Sequence, residues 1–178
     1  EKVGLAPEDP AGARRDLARR MALLSGTLHY DGFRHADLVV EAVIENLDVK
    51  RRVLGEITSA APRAVVATNT SSLRLEDLSE GMSDPSRLVG LHFFNPVHRM
   101  PLVEVVKGDK TAPEITESVR ELLASCGKIP VVVKKDRRGQ LGNRLQMAMV
   151  REAVNMVAEG IAGVEEIVLC TPPQADGS

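Results

Sequence analysis

The feature that most constrains the fold is an alternation of short apolar runs, rich in β-branched residues, with amphipathic helical segments. Two of these runs, Leu38 to Val43 and Ala64 to Thr68, have the length of a strand, and a helical pattern separates them. Strands that are apolar on both faces are typical of buried parallel sheets, whose neighbouring strands need a helical crossover. The alternation therefore predicts an α/β fold with a doubly wound sheet.

Start signals predict where several helices begin. Asp9 precedes a proline at the first position of one helix, and Asn46 can cap a second helix that ends near Pro62. Thr111 and Glu114 have the spacing of a capping box, and a short helix is expected near residues 75–78. A last long helix is expected over residues 143–160, with an inward stripe formed by Met149, Val150, Ala153, Met156 and Val157.

Composition excludes several classes of function. The formal net charge is −2 and aromatic residues make up 2% of the chain, so neither a basic footprint nor stacking platforms for nucleic acid are present. No apolar run has the roughly 20 residues of a membrane span. Cys126 and Cys170 are far apart and predict neither a zinc site nor a disulfide framework, and we expect a cytoplasmic location.

Three polar segments follow predicted strands, where open α/β sheets bind ligands. They are residues 43–46, with a carboxylate; residues 69–72, with hydroxyls and an amide; and residues 94–96, with an amide beside a proline. Helix capping and ordinary turn chemistry are the favoured explanation of each of these segments when it is taken alone.

The pair His92 and Glu104 has a more specific geometry. If residues 88–94 and 102–106 form an antiparallel hairpin around His98, His92 lies directly opposite Glu104. Residues in this relation have Cβ atoms roughly 4.5–5.5 Å apart, which allows a hydrogen bond between imidazole and carboxylate. Such a carboxylate would fix the tautomer of a general base, although a purely structural pair between two strands is an equal alternative.

Several long motifs together resemble one known family. They are residues 36–50 (ADLVVEAVIENLDVK), 67–73 (ATNTSSL), 90–97 (GLHFFNPV) and 100–106 (MPLVEVV). The chain from about Leu24 to about Glu166 is similar to the NAD-binding domain of 3-hydroxyacyl-CoA dehydrogenases. Residues 25–37 and the His-Arg-Met-Pro turn are most similar to the dehydrogenase region of multifunctional fatty-acid oxidation proteins.

The resemblance implies an NAD-dependent oxidation of 3-hydroxyacyl-CoA to 3-oxoacyl-CoA, in fatty-acid β-oxidation. It implies that His92 is the catalytic base and Glu104 its orienting carboxylate. Ser71 and Asn143 match substrate-contacting positions, which polarise the reacting oxygen. The resemblance further implies that the cofactor NAD is bound by Glu45, Lys50 and Asn69.

The resemblance also implies how the chain is divided. Residues 1–136 are expected to be a partial Rossmann-type domain, because none of the fourteen glycines has the GxGxxG spacing that receives the pyrophosphate. The charged segment from Lys134 to Gly142 marks the boundary, and residues 137–178 would be the start of the family's helical C-terminal domain and an irregular tail. An acyl-CoA substrate is the implied partner, with a homodimer or a multifunctional complex formed through that helical domain.

Three functions therefore stay open on the sequence. The first is the 3-hydroxyacyl-CoA dehydrogenase. The second is a related hydroxy-acid dehydrogenase of the sugar-acid or lambda-crystallin type, which the segment from Asn143 to Gln146 also resembles. The third is a catalytically silent or structural chain, which the lack of the phosphate-binding spacing keeps open.

Overall fold

A computed structural model of the chain describes residues 9–170. These form two compact units, one that ends at Asp31 and one that begins at Gly32. The first unit contains helix α1 (Pro10–Met21), whose predicted cap is confirmed: Asp9 accepts a hydrogen bond from the backbone N–H of Gly12 at 2.8 Å. The predicted irregular tail falls largely on residues 171–178, which lie outside the described residues.

The second unit is built on five strands and five α-helices among the described residues. The strands are β1 (Leu38–Glu41), β2 (Val65–Thr68), β3 (Leu88–Phe93), β4 (Leu102–Val106) and β5 (Ile129–Val133). The helices are α2 (Leu47–Ala60), α3 (Leu75–Ser79), α4 (Pro113–Ser125), α5 (Gly142–Ala158) and α6 (Val164–Cys170).

The five strands form one sheet in the order β1-β2-β3-β4-β5. Strands β1, β2 and β3 are parallel, β4 is antiparallel to β3, and β5 is parallel to β4. Helices α2, α3 and α4 lie in the connections β1–β2, β2–β3 and β4–β5, each of which joins parallel neighbours. The predicted α/β class is confirmed, with the difference that β1 ends two residues earlier than the apolar run suggested.

The sheet has an apolar core on each face. On one face Leu54 and Ile57 of α2 and Leu78 of α3 pack with side chains of β1, β2 and β3, which include Val39, Val66 and Leu88. On the opposite face Val119 and Leu123 of α4 pack with Ala67, Val89, Leu91, Val103 and Val105. Burial on both faces explains why the strand sequences lack a simple apolar and polar alternation.

Two local predictions are wrong. Thr111 does not cap α4, whose N-cap is Ala112. The Thr111 hydroxyl instead donates a hydrogen bond to the carbonyl of Leu88 at 2.6 Å and accepts one from the backbone N–H of Gly108. The predicted inward stripe of α5 is not buried, and Met149 is 55% exposed. A helical period identifies an apolar stripe on α5, but it does not show whether another part of the described chain packs against that stripe.

No helix among residues 9–170 is long and apolar enough to cross a membrane.

The contact between α2 and the turn after α3 requires a glycine at position 81. A Cβ at Gly81 would lie 2.4 Å from the carbonyl oxygen of Arg51, a distance that the backbone must relieve. We expect Gly81→Ala to lower the free energy of unfolding by about 2 kcal/mol, since overpacking a close contact has this effect. Urea unfolding checks this against Gly26→Ala, where a Cβ meets nothing within 4 Å. Equal stabilities of the two variants would contradict the prediction.

Candidate active site

The carboxyl ends of β1, β2 and β3 meet at one edge of the sheet, because these three strands are parallel. Glu41 pairs with Thr68 and Thr68 with Gly90, so that His92, two residues further along β3, lies on the same face. His92 in turn pairs with Glu104. Polar side chains from four neighbouring strands therefore line this edge on one face.

The His92 and Glu104 side chains form a hydrogen bond, with 2.7 Å between Nδ1 and Oε2. The predicted register is confirmed, and both residues are buried, His92 at 8% and Glu104 at 2% exposed. When Nδ1–H of the neutral ring donates this hydrogen bond to the carboxylate, Nε2 carries no proton and is a hydrogen-bond acceptor. The Phe94 ring, whose centroid is 4.8 Å from that of His92, packs beside the imidazole.

The second oxygen of Glu104 binds the beginning of α5. Oε1 accepts hydrogen bonds from the backbone N–H groups of Leu141 at 2.9 Å and Gly142 at 2.8 Å. These N–H groups belong to the free amino end of a helix, where a negative charge is favourable. One carboxylate thus holds both the imidazole and the helix that carries Asn143.

Gly142 allows this close approach. A Cβ at this position would lie 2.7 Å from Cζ of Phe94, so a larger residue would displace the ring beside His92 or the start of α5. Asn143 follows directly and is half-buried.

The predicted substrate-contacting residues lie on two segments that touch each other. Ser71 is exposed in the loop after β2, and Gln140, just before α5, donates a hydrogen bond to the carbonyl of Thr70 at 3.4 Å. Gln140 is 3% exposed and has a φ of 42°, a left-handed conformation that few residues other than glycine adopt. The loop of Ser71 and the segment of Asn143 are therefore neighbours.

Glu45 organises the loop after β2. Its Oε1 accepts from the Thr70 hydroxyl at 2.6 Å, from the backbone N–H groups of Ser71 and Ser72, and from the Ser72 hydroxyl. Burial by itself raises the pKa of Glu45, but the hydrogen bonds from Thr70 and Ser72 and the charge of Lys50 outweigh it and lower the pKa to about 2. Glu45 is therefore ionised at neutral pH.

The predicted cofactor-side residues Lys50 and Asn69 lie in the same region. The Lys50 side chain is fully buried, and its Nζ is 2.7 Å from Oε1 of Glu41. Asn69 links two strand ends: its backbone N–H donates to the carbonyl of Glu41, and its Oδ1 accepts from the N–H of Phe93 at 3.3 Å.

Sequence reasoning missed Glu41 and Gln140 as members of this region. Glu41 could have been found, because a carboxylate within an apolar strand needs a partner and Lys50 lies on the helix that follows. Gln140 gave no comparable signal, since its neighbours in space come from distant parts of the chain.

A histidine base held by a buried carboxylate, at the carboxyl edge of an α/β sheet and close to hydroxyl and amide groups, is suited to moving a proton to or from a bound alcohol or ketone. This combination of fold and site is typical of dehydrogenase domains with a Rossmann-type fold.

Comparison with known proteins agrees with this class. Residues 8–137 match the sequence model of the 3-hydroxyacyl-CoA dehydrogenase, NAD binding domain. The structure is similar to (S)-3-hydroxybutyryl-CoA dehydrogenase PaaH1 from Ralstonia eutropha, with 36% identity, a TM-score of 0.81, and coverage of 86% of this chain and 54% of that one.

Two other solved structures widen the comparison. An NAD⁺-dependent dismutase, 5-formyl-3-hydroxy-2-methylpyridine 4-carboxylic acid 5-dehydrogenase, is 35% identical, with a TM-score of 0.75 and coverage of 93% and 59%. The dehydrogenase part of multifunctional enzyme 1 from C. elegans is 31% identical, with a TM-score of 0.58 and coverage of 69% and 28%.

The chain belongs to the 3-hydroxyacyl-CoA dehydrogenase family, whose cofactor is NAD, and its matched residues are those of the NAD-binding domain. It spans about half the length of the first two relatives described, with 54% and 59% of their chains covered.

Removing the charge of Glu45 should change how stability depends on pH. A lowered pKa contributes stability that is complete above the ordinary value of 4.5 and is lost as the pH falls towards about 2. We expect Glu45→Gln to lower the free energy of unfolding by about 1–2 kcal/mol at pH 7, after allowance for solvent screening, and by less as the pH falls below about 4. Urea unfolding at several pH values measures this, and a difference that does not vary with pH would contradict it.

Proposed function

We propose that this chain carries the catalytic site of an NAD-dependent 3-hydroxyacyl-CoA dehydrogenase, which oxidises a 3-hydroxyacyl-CoA to the 3-oxoacyl-CoA in fatty-acid β-oxidation. The observation that carries the proposal is the buried hydrogen bond of 2.7 Å between His92 Nδ1 and Glu104 Oε2. It leaves Nε2 of His92 as the atom that accepts a proton from the 3-hydroxyl group of the substrate.

Glu104 supports this proton transfer in two ways. Its negative charge stabilises the imidazolium that forms when Nε2 takes the proton, because the two groups are buried together at low dielectric. Its hydrogen bond also holds the ring in one orientation, so that the base is in place before the substrate binds.

Ser71 and Asn143 are proposed to contact the reacting oxygen. The Ser71 hydroxyl and the Asn143 amide are both able to donate a hydrogen bond, and the oxygen gains negative character as its proton leaves. The contact between Gln140 and Thr70 supports this assignment, since it brings their two segments together.

NAD supplies the chemistry of a hydride acceptor at the carbon that bears the hydroxyl. The residues at the ends of β1 and β2 suit its nicotinamide ribose, because the ionised Glu45 carboxylate accepts hydrogen bonds from hydroxyl groups and its side chain is 34% exposed. We assign Glu45, Lys50 and Asn69 to this side of the site.

Association and location are further parts of the proposal. The described helices α5 and α6 expose Leu145, Met149, Val154 and Val168, which supports association through these helices in a homodimer or a multifunctional complex. Cys126 and Cys170 are both free and exposed. Because the cytosol keeps such thiols reduced, they support a cytoplasmic location.

A second candidate is a dehydrogenase that acts on a free hydroxy acid or aldehyde rather than on a thioester. The 35% identity to the pyridine-carboxylic acid 5-dehydrogenase supports it, because that value is close to the 36% identity to PaaH1. The proton transfer by His92 would be the same for either substrate.

Replacing the proposed base tests the proposed reaction. Reduction of acetoacetyl-CoA with NADH is expected to lose about 10³-fold in kcat in His92→Gln, since a general acid or base of this kind contributes 10²–10⁴-fold. His98→Gln, at an exposed turn, is the matched control and should keep the activity. Turnover of free hydroxy acids alone would favour the second candidate. If calorimetry detects no binding of NADH, the chain is catalytically silent and the proposal fails.

The variant Glu104→Gln tests how Glu104 sets the tautomer of the His92 imidazole, separately from any effect on folding. The glutamine oxygen can still accept from Leu141 and Gly142, but its amide N–H₂ faces Nδ1 and forces the imidazole proton onto Nε2. We expect a thermal midpoint close to that of the wild type and a loss of kcat of about 10³–10⁴-fold, as when a histidine base is held in the wrong tautomer. Nitrogen-15 NMR of the imidazole checks the tautomer directly. An active variant with the proton on Nε2 would contradict the role assigned to Glu104.

A further inference from the structure

The ion pair between Glu41 and Lys50 is the most deeply buried charged contact among the described residues. Both side chains are 0% exposed, and 2.7 Å separates Oε1 of Glu41 from Nζ of Lys50. Burying two charges costs several kcal/mol for each ion unless hydrogen bonds compensate. Here they do: Glu41 also accepts from the backbone N–H of Val43 and from the Thr68 hydroxyl, each at 2.6 Å. The pair is therefore held in a single geometry.

The ammonium group of Lys50 donates two hydrogen bonds and has a second ion-pair partner. Besides Glu41, it lies 3.2 Å from the carbonyl oxygen of Val43 and 3.5 Å from Oε2 of Glu45. With these neighbours, and with no exposed surface, Lys50 is held on the buried side of Glu45.

Glu45 connects the buried pair to the loop after β2. One of its oxygens faces Lys50, and the other accepts four hydrogen bonds from residues 70–72. The Thr70 hydroxyl, which donates to Glu45, also accepts a hydrogen bond from the backbone N–H of Leu73. The loop that carries Ser71 is thus connected by an unbroken series of polar contacts to the buried pair in β1 and α2.

We propose that Glu41 and Lys50 are positioning residues, which hold Glu45 and, through it, keep Ser71 in the orientation that contacts the substrate. The part that concerns the substrate rests on the proposed function, whereas the connection from Glu41 to the loop does not. Glu41 is assigned no contact with substrate or cofactor.

The double variant Glu41→Gln/Lys50→Met tests this connection. It removes both buried charges together, so that neither is left unpaired in the core. Without the ammonium group, Glu45 loses its ion pair to the core, and exchange of the Ser71 and Ser72 amide hydrogens should accelerate about five-fold, the upper end of the effect of losing a partly exposed ion pair. Hydrogen exchange followed by NMR measures these two amides.

The matched control removes a partly exposed ion pair whose arginine is the next residue of the same helix. Arg51→Met/Glu80→Gln eliminates the contact between the Arg51 guanidinium and the Glu80 carboxylate, together with the hydrogen bond that Arg51 donates to the carbonyl of Asp77. Exchange at residues 71 and 72 should stay at the wild-type rate. Wild-type rates in the Glu41 and Lys50 double variant as well would overturn the proposal.

If the double variant does not fold, Glu41→Gln by itself gives the same information. It is close in shape to the wild type and weakens the hold on Lys50, so the same two amides should exchange faster while the core amides of β2 and β3 do not. Uniform acceleration over all strands would show a structural role only and would overturn the proposal.

Kinetics distinguish this proposal from the proposed function. In an active protein, the double variant should lower kcat for acetoacetyl-CoA and leave KM nearly unchanged, because Ser71 acts on charge that develops during the reaction. A loss of loop protection with unchanged kcat would overturn the part that concerns Ser71. Faster exchange in a chain without dehydrogenase activity would contradict the proposed function and leave the positioning of the loop in place.

Discussion

The Glu104 carboxylate is the interaction on which the site depends. It lies in β4 and binds the His92 ring in β3 with one oxygen and two amide groups at the start of α5 with the other. A buried carboxylate is stable only when such partners satisfy it, so these bonds join the two strands and the helix in one arrangement. The orientation of the proposed base and the position of Asn143 therefore have a common cause.

A second buried carboxylate, Glu41, has the corresponding place in β1. It joins β1 to β2 through Thr68 and to α2 through Lys50. A buried ion pair is weak evidence for stability, since apolar residues of similar volume often stabilise a protein as well or better. What these charges provide is a defined geometry at the carboxyl edge, where three strand ends and two following segments come together.

Much of this arrangement could be predicted from neighbouring residues in the sequence. The strand runs, the capping role of Asn46 and the register that sets His92 opposite Glu104 depend on local patterns with a fixed period, and all three are confirmed. The capping role of Thr111 was wrong because the carbonyl of Leu88, distant in sequence, competes for the same hydroxyl. The inward face of α5 was wrong because periodicity identifies an apolar stripe without identifying what covers it.

The sequence by itself determined the α/β class and the pairing of His92 with Glu104, because side chains alternate along a strand and hairpin partners follow from the turn between them. Only the tertiary structure decided that Glu104 also binds the start of α5, that Lys50 is enclosed with Glu41, and that Gln140 lies against Thr70. These contacts join segments whose approach depends on how the crossover helices and the segment after β5 pack on the sheet. No local period encodes that packing, which follows from the burial of both sheet faces.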